Sequence, residues 1–402
     1  MSDSSDMTGR NATQSRRRFL ALGGATAATA LAGCSGLLSG GDGGDGGSDG
    51  GTGTGTGAGQ LSLSDFRGSG PLVAQRDAPG GTSIEELPDL SGELTLYLGG
   101  GEGGLYLDLI ELFEQLYPDF TANHRRQPSS DLANRIIEEN AADASPADVF
   151  MSIDAGSLGA VANAGATASL PDEVLSTVPE AYQDSEGRWV GIAGRARAIP
   201  YNTNQISDSD IPSSVQDFPE AAALENSMGW APSYGAFQSF VTAMRLIRGD
   251  DETMSWLQAM QDHGISTYDD EFRVSNSCAD GELAAGFANH YYTLRVQSAR
   301  ESSPIGLAFT EGDAGALVNV SGLEIINGTD NADLASNFVR HVLSAEAQEF
   351  FATRTFAYPM IPGVEPVGDL PRIDELNPPD INLTELADVA GTVDLLRDAG
   401  VL

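Results

Sequence analysis

The stretch ELTLYLGGGEGGLYLDLIELFEQL, residues 93–116, constrains the fold more than any other. Leu94, Leu96 and Leu98 alternate with Thr95 and Tyr97, the period of a strand. Glycines at 99, 101 and 104 follow, and then Leu105, Leu109, Leu112, Phe113 and Leu116 fall at helical spacing. A strand running through glycines into a helix opens an α/β layer. It leaves N–H groups and a positive helix end at the carboxyl edge of the strand. The glycines also fit G-x-G-x-x-G, the dinucleotide fingerprint. That fingerprint asks for an acidic residue about 20 positions on, to hold a ribose. Here the region reads TANHRRQ, with Arg125 and Arg126. Arginine there leaves a 2′-phosphate formally open, but a cleft-facing loop is the simpler reading.

The same alternation continues along the chain. A weak strand at 120–123, a helix over 131–140 and a strand over 148–151 precede a small-residue helix. GRWVGIAGRARAIPYNT reads as two strands around Gly194. MGWAPSYGAFQSFVTAMRLI reads as a strand, a loop and a helix from Gly235. A strand over 284–288 ends at two tyrosines, GALVNVSGLEII is a further apolar run, and an amphipathic helix follows from residue 332. The pattern predicts α/β architecture with mostly parallel sheets. The chain beyond Ser91 exceeds the usual size of a single core, so two lobes are expected.

The N-terminus is an address rather than fold. Ser15-Arg16-Arg17-Arg18-Phe19-Leu20 has the form of a twin-arginine export signal, and Leu31-Ala32-Gly33-Cys34 that of a lipobox. Residues 1–33 are therefore expected to be a signal peptide. Cys34 is expected to carry lipid, tethered through a Gly/Ser/Thr/Asp segment over 34–60. Residues 61–90 are expected to lie over the surface. The folded part then works outside the cell, anchored to the cytoplasmic membrane. The match Gly46-Gly47-Ser48-Asp49-Gly50 to a nucleophile elbow lies in the tether, without strand or helix, and is set aside.

Charge narrows the partners. The chain carries 58 acidic and 21 basic residues, all of the latter arginine, for a net charge of −37. No basic stripe exists to neutralise phosphates, so nucleic acid is excluded as a partner. With Cys34 lipidated, Cys278 is the one cysteine left, which removes internal disulfides and cysteine zinc clusters. The four histidines are scattered, and none forms H-E-x-x-H.

Several residues carry chemistry with two readings each. Tyr291 and Tyr292 can face one ligand only if the strand ends there and the chain turns. Paired phenols suit a hard, highly charged cation such as ferric iron; the alternative is a packed aromatic pair. Asp154, after the strand DVFMS, is a metal ligand or a helix N-cap. Ser233, Tyr234, Gly235 and Ala236 open a helix and form either an anion cradle or a capped turn. Arg195 and Arg197 sit in an apolar run and need a carboxylate or a bound anion.

Together LTLYLGGGEGG, SPADVFMSIDAGSLGAVANAGA, GRWVGIAGRARAIPYNT, MGWAPSYGAFQSFVTA, ANHYY, GDAGALVNVSG and SAEAQEFFATRTFAYP resemble the iron(III)-type extracellular solute-binding lipoproteins of ABC transporters. The resemblance runs from about Gly92 to the C-terminus, and the acidic composition resembles haloarchaeal secreted proteins. It implies a type II, transferrin-like fold of two lobes, with the ligand in a cleft. Two strands cross between the lobes, near residues 197–201 and 316–321. Lobe 1 would comprise 91–197 with 317–360, and lobe 2 would comprise 198–316 with 361–402. The resemblance implies no catalysis, a monomer, and delivery of ferric iron or a ferric chelate to permease subunits. It makes Tyr291 and Tyr292 the iron ligands. Asp154 joins them, since Ile153 stands where the family often has its carboxylate, and Glu102 substitutes for a missing histidine. A synergistic anion, phosphate or carbonate, would be held by Tyr234, Gly235, Ala236 and Asn289 with Arg195 and Arg197. A family asparagine is replaced near Glu271, which would repel such an anion. The same fold with a polyamine, thiamine or oxyanion ligand is the alternative.

Overall fold

The computed structural model describes residues 61–100 and 103–402. The signal peptide, the tether with Cys34, and Glu102 lie outside the described residues. Helix α1 (Leu63–Phe66) leads into β1 (Gly92–Gly99), α2 (Gly103–Leu116), β2 (Phe120–Gln127), α3 (Ser129–Ala141), β3 (Val149–Ser152) and α4 (Ala155–Asn163). The strand–glycine–helix expectation at 93–116 thus holds. β1 is flanked in parallel by β2 and β3, with Leu94, Leu96 and Leu98 fully buried. At the turn out of β1, Gly100 has φ 87°, and a Cβ there would lie 2.6 Å from Ile153 Cγ2. Only glycine takes that conformation without strain.

After α5 (Asp172–Leu175) the chain enters β4 (Val190–Asn202), one strand of 13 residues. The expected break at Gly194 does not occur. The glycine is there because a neighbouring strand passes close: a Cβ would sit 3.0 Å from that of Tyr358. β4 serves both lobes of the molecule. Val190–Ala196 pair antiparallel with β10 (Val318–Ile325), while Arg197–Asn202 pair with β8 (Ala288–Asn289) and β9 (Ile305–Ala308).

The second lobe is built from β5 (Met228–Trp230), α6 (Gly235–Arg248), α7 (Asp250–Asp262), β6 (Ser266–Thr267), α8 (Glu271–Asp280), β7 (Ala285–Gly286) and α9 (His290–Ala299). β5 lies parallel to β6 and β7. The sheets are mixed rather than mostly parallel, because β4, β10 and β11 (Tyr358–Pro359) run antiparallel to their neighbours. Helices α10 (Ala332–Val342) and α11 (Ala345–Phe350) return to the first lobe, and α12 (Val389–Asp398) packs on α6 and α7.

The segment before β1 contributes to the core. Phe66, Ile84 and Leu90 are buried, and the Phe66 ring lies 6.3 Å from that of Phe113. The wholly buried Glu349 carboxylate takes ion pairs from Arg67 at 2.7 Å and Arg76 at 3.0 Å. Near the other end, the turn Leu383–Ala387 sits against α4, where Gly156 and Gly159 leave room for Ala387 and Thr384.

Candidate functional site

The site forms where β8 ends and α9 begins. In a strand Tyr291 and Tyr292 would point apart; in the first turn of a helix they diverge by only about 100°. Their ring centroids are 4.3 Å apart, and both side chains are buried. His290 sets the switch from strand to helix. Its Nδ1 accepts the Ala196 N–H at 3.2 Å and its Nε2–H donates to the Phe356 carbonyl at 2.8 Å. The imidazole thus pins the start of α9 to β4 and to the end of the α11 region. The Arg295 guanidinium, one turn further on, lies 5.0 Å from the Tyr291 ring and 5.4 Å from the Tyr292 ring.

A third phenol completes the cluster. Tyr234, the residue before α6, hydrogen-bonds through its hydroxyl to the Tyr292 hydroxyl, and their rings are 6.1 Å apart. Burial pushes the Tyr292 phenol well above the ordinary range, and the Tyr291 and Tyr234 phenols push it further the same way. The Tyr292 phenol is therefore protonated without a cation, and only a strong Lewis acid would displace its proton. Among the described residues, no three His, Cys, Asp or Glu side chains gather to hold a metal. The candidate hard-cation donors here are phenols.

A cavity of about 460 Å³ adjoins the cluster. Tyr234, Gly235, Ala236, Asn289 and Tyr291 line it from the second lobe, Arg195 and Arg197 from β4, and Ser129, Asp154 and Ser157 from the first. The sequence-predicted residues within the described chain thus meet around one cleft, apart from Tyr292, which is not on the cavity lining. Asp154 is the N-cap of α4: its carboxylate accepts the Ser157 N–H at 2.7 Å and the Ser157 hydroxyl at 3.1 Å. Its oxygens face its own helix as well as the cleft.

Arg197 is buried and paired with Glu271, the first residue of α8 and itself wholly buried. The other Glu271 oxygen accepts the Asn289 N–H at 2.8 Å. Asn289 Oδ1 also takes Arg197 Nη1 at 3.2 Å, and Asn289 Nδ2 lies 3.4 Å from the Tyr291 hydroxyl. Sequence reasoning placed a repelling carboxylate here but did not pair it with Arg197. It also missed the contact of Tyr234 with Tyr292, which no local pattern signals.

Comparison with known proteins agrees with this architecture. Residues 108–375 match a family described as bacterial extracellular solute-binding protein. The Fe(3+)-binding periplasmic protein of Serratia marcescens is 30% identical over 284 residues, 69% of this chain and 82% of that one. The major ferric iron-binding protein of Neisseria meningitidis serogroup B is 29% identical over 278 residues, 67% of this chain and 82% of that one. Among solved structures, iron-bound HitA from Pseudomonas aeruginosa is similar with a TM-score of 0.67 at 29% identity, covering 77% of this chain and 99% of that chain.

Proposed function

Because the chain belongs to the bacterial extracellular solute-binding protein family, we propose that it is the extracellular binding component of an ABC importer, capturing ferric iron between its lobes and delivering it to the permease. The observation that carries this reading is the meeting of Tyr234, Tyr291 and Tyr292 in one cluster, with Tyr234 and Tyr291 facing the cavity. Phenolate oxygens suit a hard trivalent cation, whereas zinc and copper favour imidazole and thiolate. The relatives named for ferric iron support the same cargo.

Binding proceeds through the chain's own groups. Tyr291 and Tyr292 give up their protons to solvent as the cation enters, with the Arg295 guanidinium packed against both rings. Closure of the lobes excludes water, and affinity follows from contacts that exist only in the closed state. The protein performs no covalent chemistry. Asp154 and Glu102 are candidate carboxylate ligands in this reading, while Gly235, Ala236, Asn289, Arg195 and Arg197 border the place an accompanying anion would take. A polyamine fits less well, because the cationic side chains of Arg195 and Arg197 line the cavity and would repel it.

Export by the twin-arginine route, lipid on Cys34 and a membrane-tethered monomer complete the proposal. The lobe boundaries are proposed at 91–197 with 317–360 and 198–316 with 361–402. The test is a visible spectrum. Ferric iron should produce a tyrosinate-to-iron charge-transfer band that Tyr291→Phe and Tyr292→Phe each remove or shift. A band unchanged in both variants would sink the assignment of the ligands.

A further inference from the structure

We infer that the chain carries its own internal anion: the Glu271 carboxylate takes the place of an accompanying phosphate or carbonate, so that iron capture requires neither. This rests on the iron reading above and specifies how that site is neutralised.

Three of the groups that would otherwise hold an anion, Arg197, Asn289 and Tyr234, are already engaged. Glu271 Oε1 pairs with Arg197 Nη1, and Glu271 Oε2 accepts the backbone N–H of Asn289. The Asn289 side chain is divided between Arg197 and the Tyr291 hydroxyl. The Tyr234 hydroxyl is bonded to Tyr292. Arg197 Nη2 keeps no hydrogen-bond partner, but its guanidinium lies 5.4 Å from the Phe240 ring centroid. One donor is left in this corner, while Arg195 and the start of α6 at Gly235 and Ala236 border the cavity beyond it.

Burial makes the carboxylate decisive. Glu271 is 0% exposed and Arg197 only 3%. A buried guanidinium demands a counter-charge, and here a covalently attached carboxylate supplies it permanently. A second anion entering the same corner would meet Glu271 across a medium that screens poorly. Asn289 links the pair to the phenols: its N–H is held by Glu271 while its amide reaches Tyr291. Glu271 is thus a positioning and charge-setting residue, not an iron ligand. The third phenol fits the same arrangement, since Tyr234 offers an oxygen from the chain itself.

The test uses the full chain, freed of iron, in buffer stripped of phosphate and carbon dioxide. Ferrous chloride is oxidised in place, and the charge-transfer band and the rate of iron removal by a hydroxamate chelator are recorded. The wild type should develop the band without added anion. Phosphate or bicarbonate should change its removal rate by less than about twofold. Glu271→Gln keeps the shape and hydrogen-bonding capacity but removes the charge. It leaves the buried Arg197 without its counter-charge, so its melting temperature should fall; without anion it should also lose iron at least tenfold faster, and phosphate or bicarbonate should restore both. A wild-type band that appears only with anion overturns this inference while leaving iron binding intact. Equal behaviour of Glu271→Gln and wild type overturns it as well. No band under any condition overturns the iron reading and this inference together.

Discussion

His290 and Tyr234 show how single side chains govern the cleft. His290 is held neutral: burial lowers its imidazole to about 4, and burial does the same to His341. Both folded values lie below the ordinary 6.5. The stability they support is therefore complete above pH 6.5 and is lost as pH falls toward 4, where the unfolded chain alone takes up protons. By pH 5 the loss should be about 2 kcal/mol for each histidine. Denaturant unfolding at pH 7 and pH 5 measures it, and equal stabilities would contradict the role. Tyr234→Phe separates a third ligand from a bystander. If its oxygen joins the shell, the charge-transfer band shifts and iron affinity drops at least tenfold. A variant indistinguishable from wild type would leave Tyr234 as packing.

At the scale of elements, helix starts do the organising. α9 begins at the residue where β8 stops, and that change of period brings adjacent tyrosines to one side. α4 is capped by Asp154, so Asp154→Ala should cost about 1 kcal/mol of stability. As a proposed ligand, Asp154 should also be missed in iron binding, with affinity at least tenfold weaker in the same variant; an unchanged affinity in chelator competition would leave Asp154 a cap alone. Much of this level was readable beforehand. β1 and α2 follow from leucine spacing, and the turn at the tyrosines from a strand that had to end. The continuity of β4 was not readable, because Gly194 looks like a break until Tyr358 is known to cross it. The Arg197–Glu271 pair joins residues 74 apart and the Tyr234–Tyr292 contact residues 58 apart. No periodicity encodes such meetings; the packing of the second lobe creates them.

Across the whole molecule, charge and connectivity set the behaviour. Glu349 is buried in the first lobe and balanced by Arg67 and Arg76 from the segment before β1. Arg76 also donates to the Pro366 carbonyl at 2.7 Å, so one guanidinium clasps three parts of the chain. Arg76→Ala should cost about 3 kcal/mol, because a buried carboxylate loses half of its compensation. Thermal unfolding would show it, and a shift below 1 °C would mean the segment is dispensable. β4 sets how the lobes can move. Its first half is laddered into one sheet and its second half into the other, along one unbroken backbone. A ribbon of that kind resists stretching yet yields to twist, the deformation strands accept most readily. It couples the lobes as a torsion bar would, so that torque parts them more readily than tension.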